Sequence, residues 1–170
     1  MFEGLYVLLG AILTFAGTFL VESWKNLRER KEKTQNFILY TRQELNSVLK
    51  SLDKLKTVQG FRKYWDYSVL EKLNKSIQNL ESEKKAAIYL PKSELQEAYI
   101  DLISDISFFV SDAIGMQQFY DSQKKELNKE LFKTSDELTK FYEERKTEKS
   151  IDLVDIKRKI EDFIRQLQSQ

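Results

Sequence analysis

Gly4–Val21, GLYVLLGAILTFAGTFLV, runs for 18 residues without a charged side chain and is bracketed by Glu3 and Glu22. At 1.5 Å rise per residue a helix of that length covers ~27 Å, near the ~30 Å hydrocarbon thickness of a bilayer. Phe2 and Trp24 would then fall at the two interfaces, where aromatic rings settle. The run reads as a transmembrane helix. A cleaved signal peptide needs a basic n-region and a small-x-small cleavage site, whereas here the start is acidic and Glu22-Ser23-Trp24-Lys25 follows. A helix buried in a protein core is the other competitor, and such helices usually carry a polar stripe.

The charge distribution orients the anchor. Lys25, Arg28, Arg30, Lys31 and Lys33 stand against Glu29 and Glu32, so residues 25–33 carry a net +3, while residues 34–170 hold 23 basic and 23 acidic side chains. A basic cluster directly after the span puts the C-terminal body in the cytoplasm by the positive-inside bias, with the N-terminus outside and the membrane the inner one. The five cations read as contacts to anionic headgroups. The neutral body shows no long-range field for nucleic acid, which is therefore not indicated as a partner, though a local basic patch remains open.

Within the span, Gly10, Thr14, Gly17 and Thr18 share one face by the 3.6-residue period. Small residues let helix backbones approach closely in lipid, so this face is the expected contact of a homo-oligomer.

Beyond the anchor the chain reads as all-α. Ser23–Val58 contains neither Gly nor Pro and predicts one helix continuous with the span. Its first part is polar nearly all round, a stalk over 25–36; then Ile38, Thr41, Leu45, Val48, Leu52 and Leu55 recur at spacings of three and four and ask for partner helices. Gly60 predicts the stop. A second helix is expected over about 68–85, with Leu70, Leu73, Ile77 and Leu80 inward, followed by a short apolar connector over 86–90. A third, over about 91–120, carries the broadest apolar stripe, from Leu95 to Met116. A fourth is expected over about 121–145 around Leu127, Leu131, Leu138, Phe141 and Tyr142, with a break near Thr134-Ser135-Asp136, and a last one from Ser150 to Leu167. The domains are thus a transmembrane anchor over 1–24, a basic stalk over 25–36 and a cytoplasmic antiparallel bundle of four to five helices over 37–170.

Chemistry is scarce in this composition. With no His and no Cys, triads, thiol nucleophiles, Cys/His zinc sites and disulfides are excluded, and no phosphate loop, Rossmann fingerprint or nucleophile elbow occurs. No catalytic residue, metal or cofactor is assigned. Asp101, Asp105 and Asp112 stack on one helix as cation ligands or as an ordinary solvated face. Arg62, Lys63, Tyr64, Trp65 and Tyr67 mix flat rings with cations, which suits capture of a nucleotide, an RNA or a protein partner, or else plugs the end of the bundle.

A single span, a basic stalk and a small helical domain resemble in layout the membrane accessory proteins of type VI-B CRISPR systems. That resemblance implies a divergent HEPN-type bundle and an oligomeric membrane pore. The Arg-x4-His motif of HEPN nucleases is missing, since the fifth residue after Arg62, Arg145 and Arg158 is Tyr67, Ser150 and Phe163. The expectation is a non-enzymatic, membrane-anchored protein that self-associates as a scaffold or pore-type effector, possible antiphage defence included; the alternative is a tethered module binding through Phe61–Tyr67.

Overall fold

The computed structural model describes residues 2–57, 67–125, 131–132 and 134–169; the side chains of residues 2–9, 11, 12, 56, 57 and 146 fall outside the description. Four long helices, α1 (Phe2–Thr57), α2 (Tyr67–Ser82), α3 (Ser93–Lys125) and α4 (Ser135–Gln168), are joined by a 3-10 helix at Lys84–Tyr89 between α2 and α3. No strand occurs among the described residues, so the chain is all-α.

Each helix packs against its two neighbours in the order α1, α2, α3, α4 and back to α1, and among the described residues the backbones of diagonal helices do not come close. The direction alternates. Lys149 and Lys159 of α4 reach Asp112 and Asp105 of α3, so the α4 numbers rise as the α3 numbers fall, and the Tyr99 phenol near the start of α3 donates to the Leu80 carbonyl near the end of α2. The bundle is therefore up-down-up-down and antiparallel.

Its core is the sum of the apolar stripes the helices bring. From α1 come Phe37, Leu45, Val48, Leu52 and Leu55, from α2 Leu70, Leu73, Ile77 and Leu80, and from α3 the series from Leu95 to Ala113. Residues three and four apart share a face, so these spacings place each series on the inside. Burying one such aliphatic side chain contributes roughly 1.5–3 kcal/mol, enough that the stripes and not helix propensity decide the packing. Tyr99 is the hinge of the core's lower end, edge-on to Phe37 with ring centroids 5.4 Å apart and 6.0 Å from Phe163. Thr41, also fully buried, lies beside that phenol without making a hydrogen bond of normal geometry.

Three expectations are corrected. The C-terminal part is one helix rather than two, because nothing in Lys146–Ser150 breaks it and the inward series Leu138, Tyr142, Leu153, Ile156, Ile160 carries straight through. The break expected at Thr134-Ser135-Asp136 is present as the start of α4, where the Thr134 hydroxyl accepts the Glu137 amide and caps the helix. Leu131, expected inside, is 60% exposed. At the other end of the series Phe37 takes the core place expected of Ile38, which is half-buried. Gly60 and Leu127 lie outside the described residues.

Beyond the main core, α3 and α4 run on together as a hairpin with a small core of their own. Tyr120, Leu138 and Tyr142 close it, and the Tyr142 hydroxyl donates to the Gln117 side-chain oxygen at 2.5 Å. A buried amide satisfied in this way costs little, whereas an unpaired one would cost ~1–3 kcal/mol.

Candidate functional site

The feature that the fold leaves unexplained is the first half of α1. From Leu13 to Asn36 no side chain of α1 is buried, and only Ser23 and Thr34 are even half-covered. Among those exposed side chains are Phe15 at 77%, Trp24 at 76% and Leu27 at 65%, with Leu13, Phe19, Leu20 and Val21 similar. An apolar series this dense on a free helix is unlike the isolated apolar residues that soluble surfaces tolerate. The reading of a core helix is therefore overturned for the described part of the segment, since none of the described residues covers it.

The polar groups inside the segment are turned inward on the helix itself. Thr14 Oγ1 donates to the Gly10 carbonyl at 2.8 Å, and Thr18 Oγ1 to the Thr14 carbonyl at 2.9 Å. Hydroxyls bonded this way need no water, the condition a helix in hydrocarbon must meet. The face expected from the sequence is also sterically open, because a Cβ added at Gly10 or Gly17 would meet no atom within 4 Å.

Among the described residues no helix is long and apolar enough to cross a membrane. Leu5, Val7, Leu8, Leu9, Ala11 and Ile12, which supply much of the apolar character of residues 4–21, have side chains outside that set.

The basic collar follows at once. Lys25, Arg28, Arg30, Lys31 and Lys33 are all exposed on α1, and Lys33 places its ammonium 5.7 Å from the Tyr89 ring centroid. Thr34 fastens the stalk to the bundle, its hydroxyl proton shared between the Arg30 carbonyl at 2.9 Å and the Tyr89 carbonyl at 2.8 Å. That contact is the boundary between the free and the packed parts of the helix.

The other sequence candidates fare differently. Arg62, Lys63, Tyr64 and Trp65 lie outside the described residues; Tyr67 opens α2 and is 48% exposed. The three aspartates do not converge on a metal. Asp112 pairs with Lys149 at 2.6 Å and Asp105 with Lys159 at 2.8 Å, tying α3 to α4 on the bundle's outer face. No group of three acidic side chains close enough to hold an ion occurs among the described residues. The Asp112 hydrogen bond, aided by Asp152 against some desolvation, raises the Lys149 pKa from its ordinary range, and Asp105 does the same for Lys159. Such exposed pairs contribute at most ~1 kcal/mol each.

Sequence reasoning missed the groove where the stalk meets the bundle, because its walls are far apart in the chain. Leu27, Arg30, Lys31, Ile38 and Arg42 of α1 face Tyr89, Pro91 and Leu167 across a cleft of about 620 Å³. No family model, no curated protein and no solved structure matches this chain.

Proposed function

We propose that the chain is a membrane-anchored helical protein whose first helix enters the inner membrane from the cytoplasmic side and whose bundle stays on that side. The observation that carries this reading is the uncovered apolar half of α1, ending in Trp24 and followed directly by five cations. Lipid covers such a surface at no entropic cost of ordering a partner, and the collar places basic side chains where anionic headgroups lie.

The open face of Gly10, Thr14, Gly17 and Thr18 supports self-association in the bilayer, since close backbone approach is what packs helices there. With neither His nor Cys in the chain and no converging acid cluster among the described residues, we assign no reaction to it. The role is that of a scaffold or pore-type effector, which is also what a likeness to the accessory proteins of type VI-B CRISPR systems implies, together with a place in antiphage defence.

Two measurements test the reading. The protein is expected to stay in the pellet when membranes are washed with alkaline carbonate, and its recovery in the wash would end the anchor proposal. Crosslinking in native membranes should give oligomers that Gly10→Ile and Gly17→Ile weaken; a monomer in every case would remove the self-association.

A further inference from the structure

We infer that the groove between the stalk of α1 and the lower end of the bundle binds an acidic phospholipid, with the lipid phosphate as the recognised group. The inference rests on the membrane reading above and adds a ligand to it.

Charge is the first argument. Arg30, Lys31 and Arg42 line the cleft, and no carboxylate lines it. None of the three makes an ion pair among the described residues. The Arg42 Nε is shut off from solvent with no hydrogen-bond partner among the described residues, which leaves its terminal nitrogens as the donors for a ligand in the cleft. Guanidinium groups match the oxygens of a phosphate in pairs, and two of the three cations are arginines.

The walls supply the second argument. Ile38 and Leu39 on one side and Tyr89, Pro91 and Leu167 on the other are apolar, and Leu39 is 55% exposed. A bare sugar phosphate or inorganic phosphate leaves such walls uncovered, whereas the glycerol and acyl portion of a lipid fills them. The volume of about 620 Å³ lies inside the ~300–1,000 Å³ usual for small-ligand clefts.

Continuity with the bilayer is the third. A smaller cleft formed by Trp24, Leu27, Arg28 and Lys31 adjoins the first and shares Leu27 and Lys31 with it. Together they make one track from the end of the apolar segment to the bundle. A second copy of the chain is the poorer occupant, because its own stalk brings the same net positive charge to the same level.

The test uses the full chain in nanodiscs holding equal amounts of phosphatidylglycerol and phosphatidylcholine, with retained lipid counted by native mass spectrometry. Wild type should retain phosphatidylglycerol preferentially. Arg42→Gln and Arg30→Gln should each reduce that retention about tenfold, the effect of one lost charged hydrogen bond. Lys50→Gln, which removes the same charge from α1 outside both the groove and the collar, should leave it nearly unchanged. Equal losses in all three variants would mean a diffuse basic surface and overturn the inference. Soluble glycerol 3-phosphate should compete at least about tenfold less well than dihexanoyl phosphatidylglycerol, because it leaves the apolar walls bare; equal competition would show a free phosphate site and overturn the lipid assignment. Failure to enter the nanodiscs speaks to the anchor alone. In that case monomeric dihexanoyl phosphatidylglycerol against dihexanoyl phosphatidylcholine, with the same variants, decides the groove.

Discussion

One helix, α1, holds two regions of opposite fate. From Phe37 to Leu55 it buries a regular series against α2, α4 and the 3-10 helix, with Leu45, Val48, Leu52 and Leu55 fully covered. From Leu13 to Asn36 it buries nothing, although Phe15, Phe19, Leu20 and Trp24 are as apolar as anything in the core. Helix propensity does not separate the halves, since neither breaks. The difference is pattern. The packed half confines its apolar residues to one stripe and meets helices with stripes of their own, whereas residues 4–21 are apolar all round and no single face could be satisfied by a bundle. A helix apolar on every side asks for a solvent and not for a partner face.

The largest test of that contrast is a pair of truncations. Leu52→Ala opens a cavity in a site with no exposure and should cost the bundle about 2–5 kcal/mol of unfolding free energy. Leu20→Ala, at 68% exposure, should stay within about 0.5 kcal/mol in the same melt of the detergent-solubilised chain. A comparable loss for Leu20 would show that the free half packs on the body after all, and the division of α1 would have to be redrawn.

Much of the packed region is readable in advance because its signal is local. Thr41, Leu45, Val48, Leu52 and Leu55 repeat within a few residues, and so do Leu70, Leu73, Ile77 and Leu80, so periodicity alone places them inside. What local pattern cannot give is register between helices. Phe37 and Ile38 are both apolar neighbours, and only the Tyr99 ring across the core selects Phe37. The continuity of α4 was hidden for a related reason: Arg145–Ser150 is polar, and the exposed faces of a long helix look like a linker until Lys149 is seen to reach Asp112. The buried bond from Tyr142 to Gln117 joins residues 25 apart in sequence and has no periodic signature. The candidate site divides the same way. Its apolar segment and cations are contiguous and legible, while the groove needs Tyr89, Pro91 and Leu167 brought to α1 by the fold.

A smaller effect, in alkali, sharpens the picture of the packed half. Burial first, then the charges of Tyr40 and Glu83, pushes the Tyr99 phenol far above its ordinary value of 10.0. A group raised on folding contributes stability that is whole below its unfolded pKa and is lost as pH rises toward the folded one. Lys149, raised above 10.5 by the Asp112 hydrogen bond, adds to the loss in the same direction. The melting temperature should therefore hold to about pH 9.5 and fall beyond pH 10. Tyr99→Phe removes the bond to the Leu80 carbonyl, so it should cost about 1 kcal/mol at neutral pH and flatten the alkaline fall. An unchanged alkaline slope in this variant would shift responsibility to the lysines.

The finest comparison uses two glycines with the same local geometry in the two regions. Gly115 sits in the middle of α3 and Gly17 in the free half of α1, and a Cβ at either meets nothing within 4 Å. Both have ordinary negative φ, so neither needs glycine for its backbone. Gly115→Ala should raise bundle stability by about 0.5–1 kcal/mol, because alanine has less backbone freedom to lose on becoming helical. Gly17→Ala brings the same gain to its helix but places a methyl group where a second span is expected to approach. If copies meet there, crosslinked oligomer falls while the melt of the bundle stays where it was. A variant at Gly17 that behaves like the one at Gly115, indifferent in crosslinking, would leave the proposed anchor untouched and move the proposed contact between copies to another face of the helix.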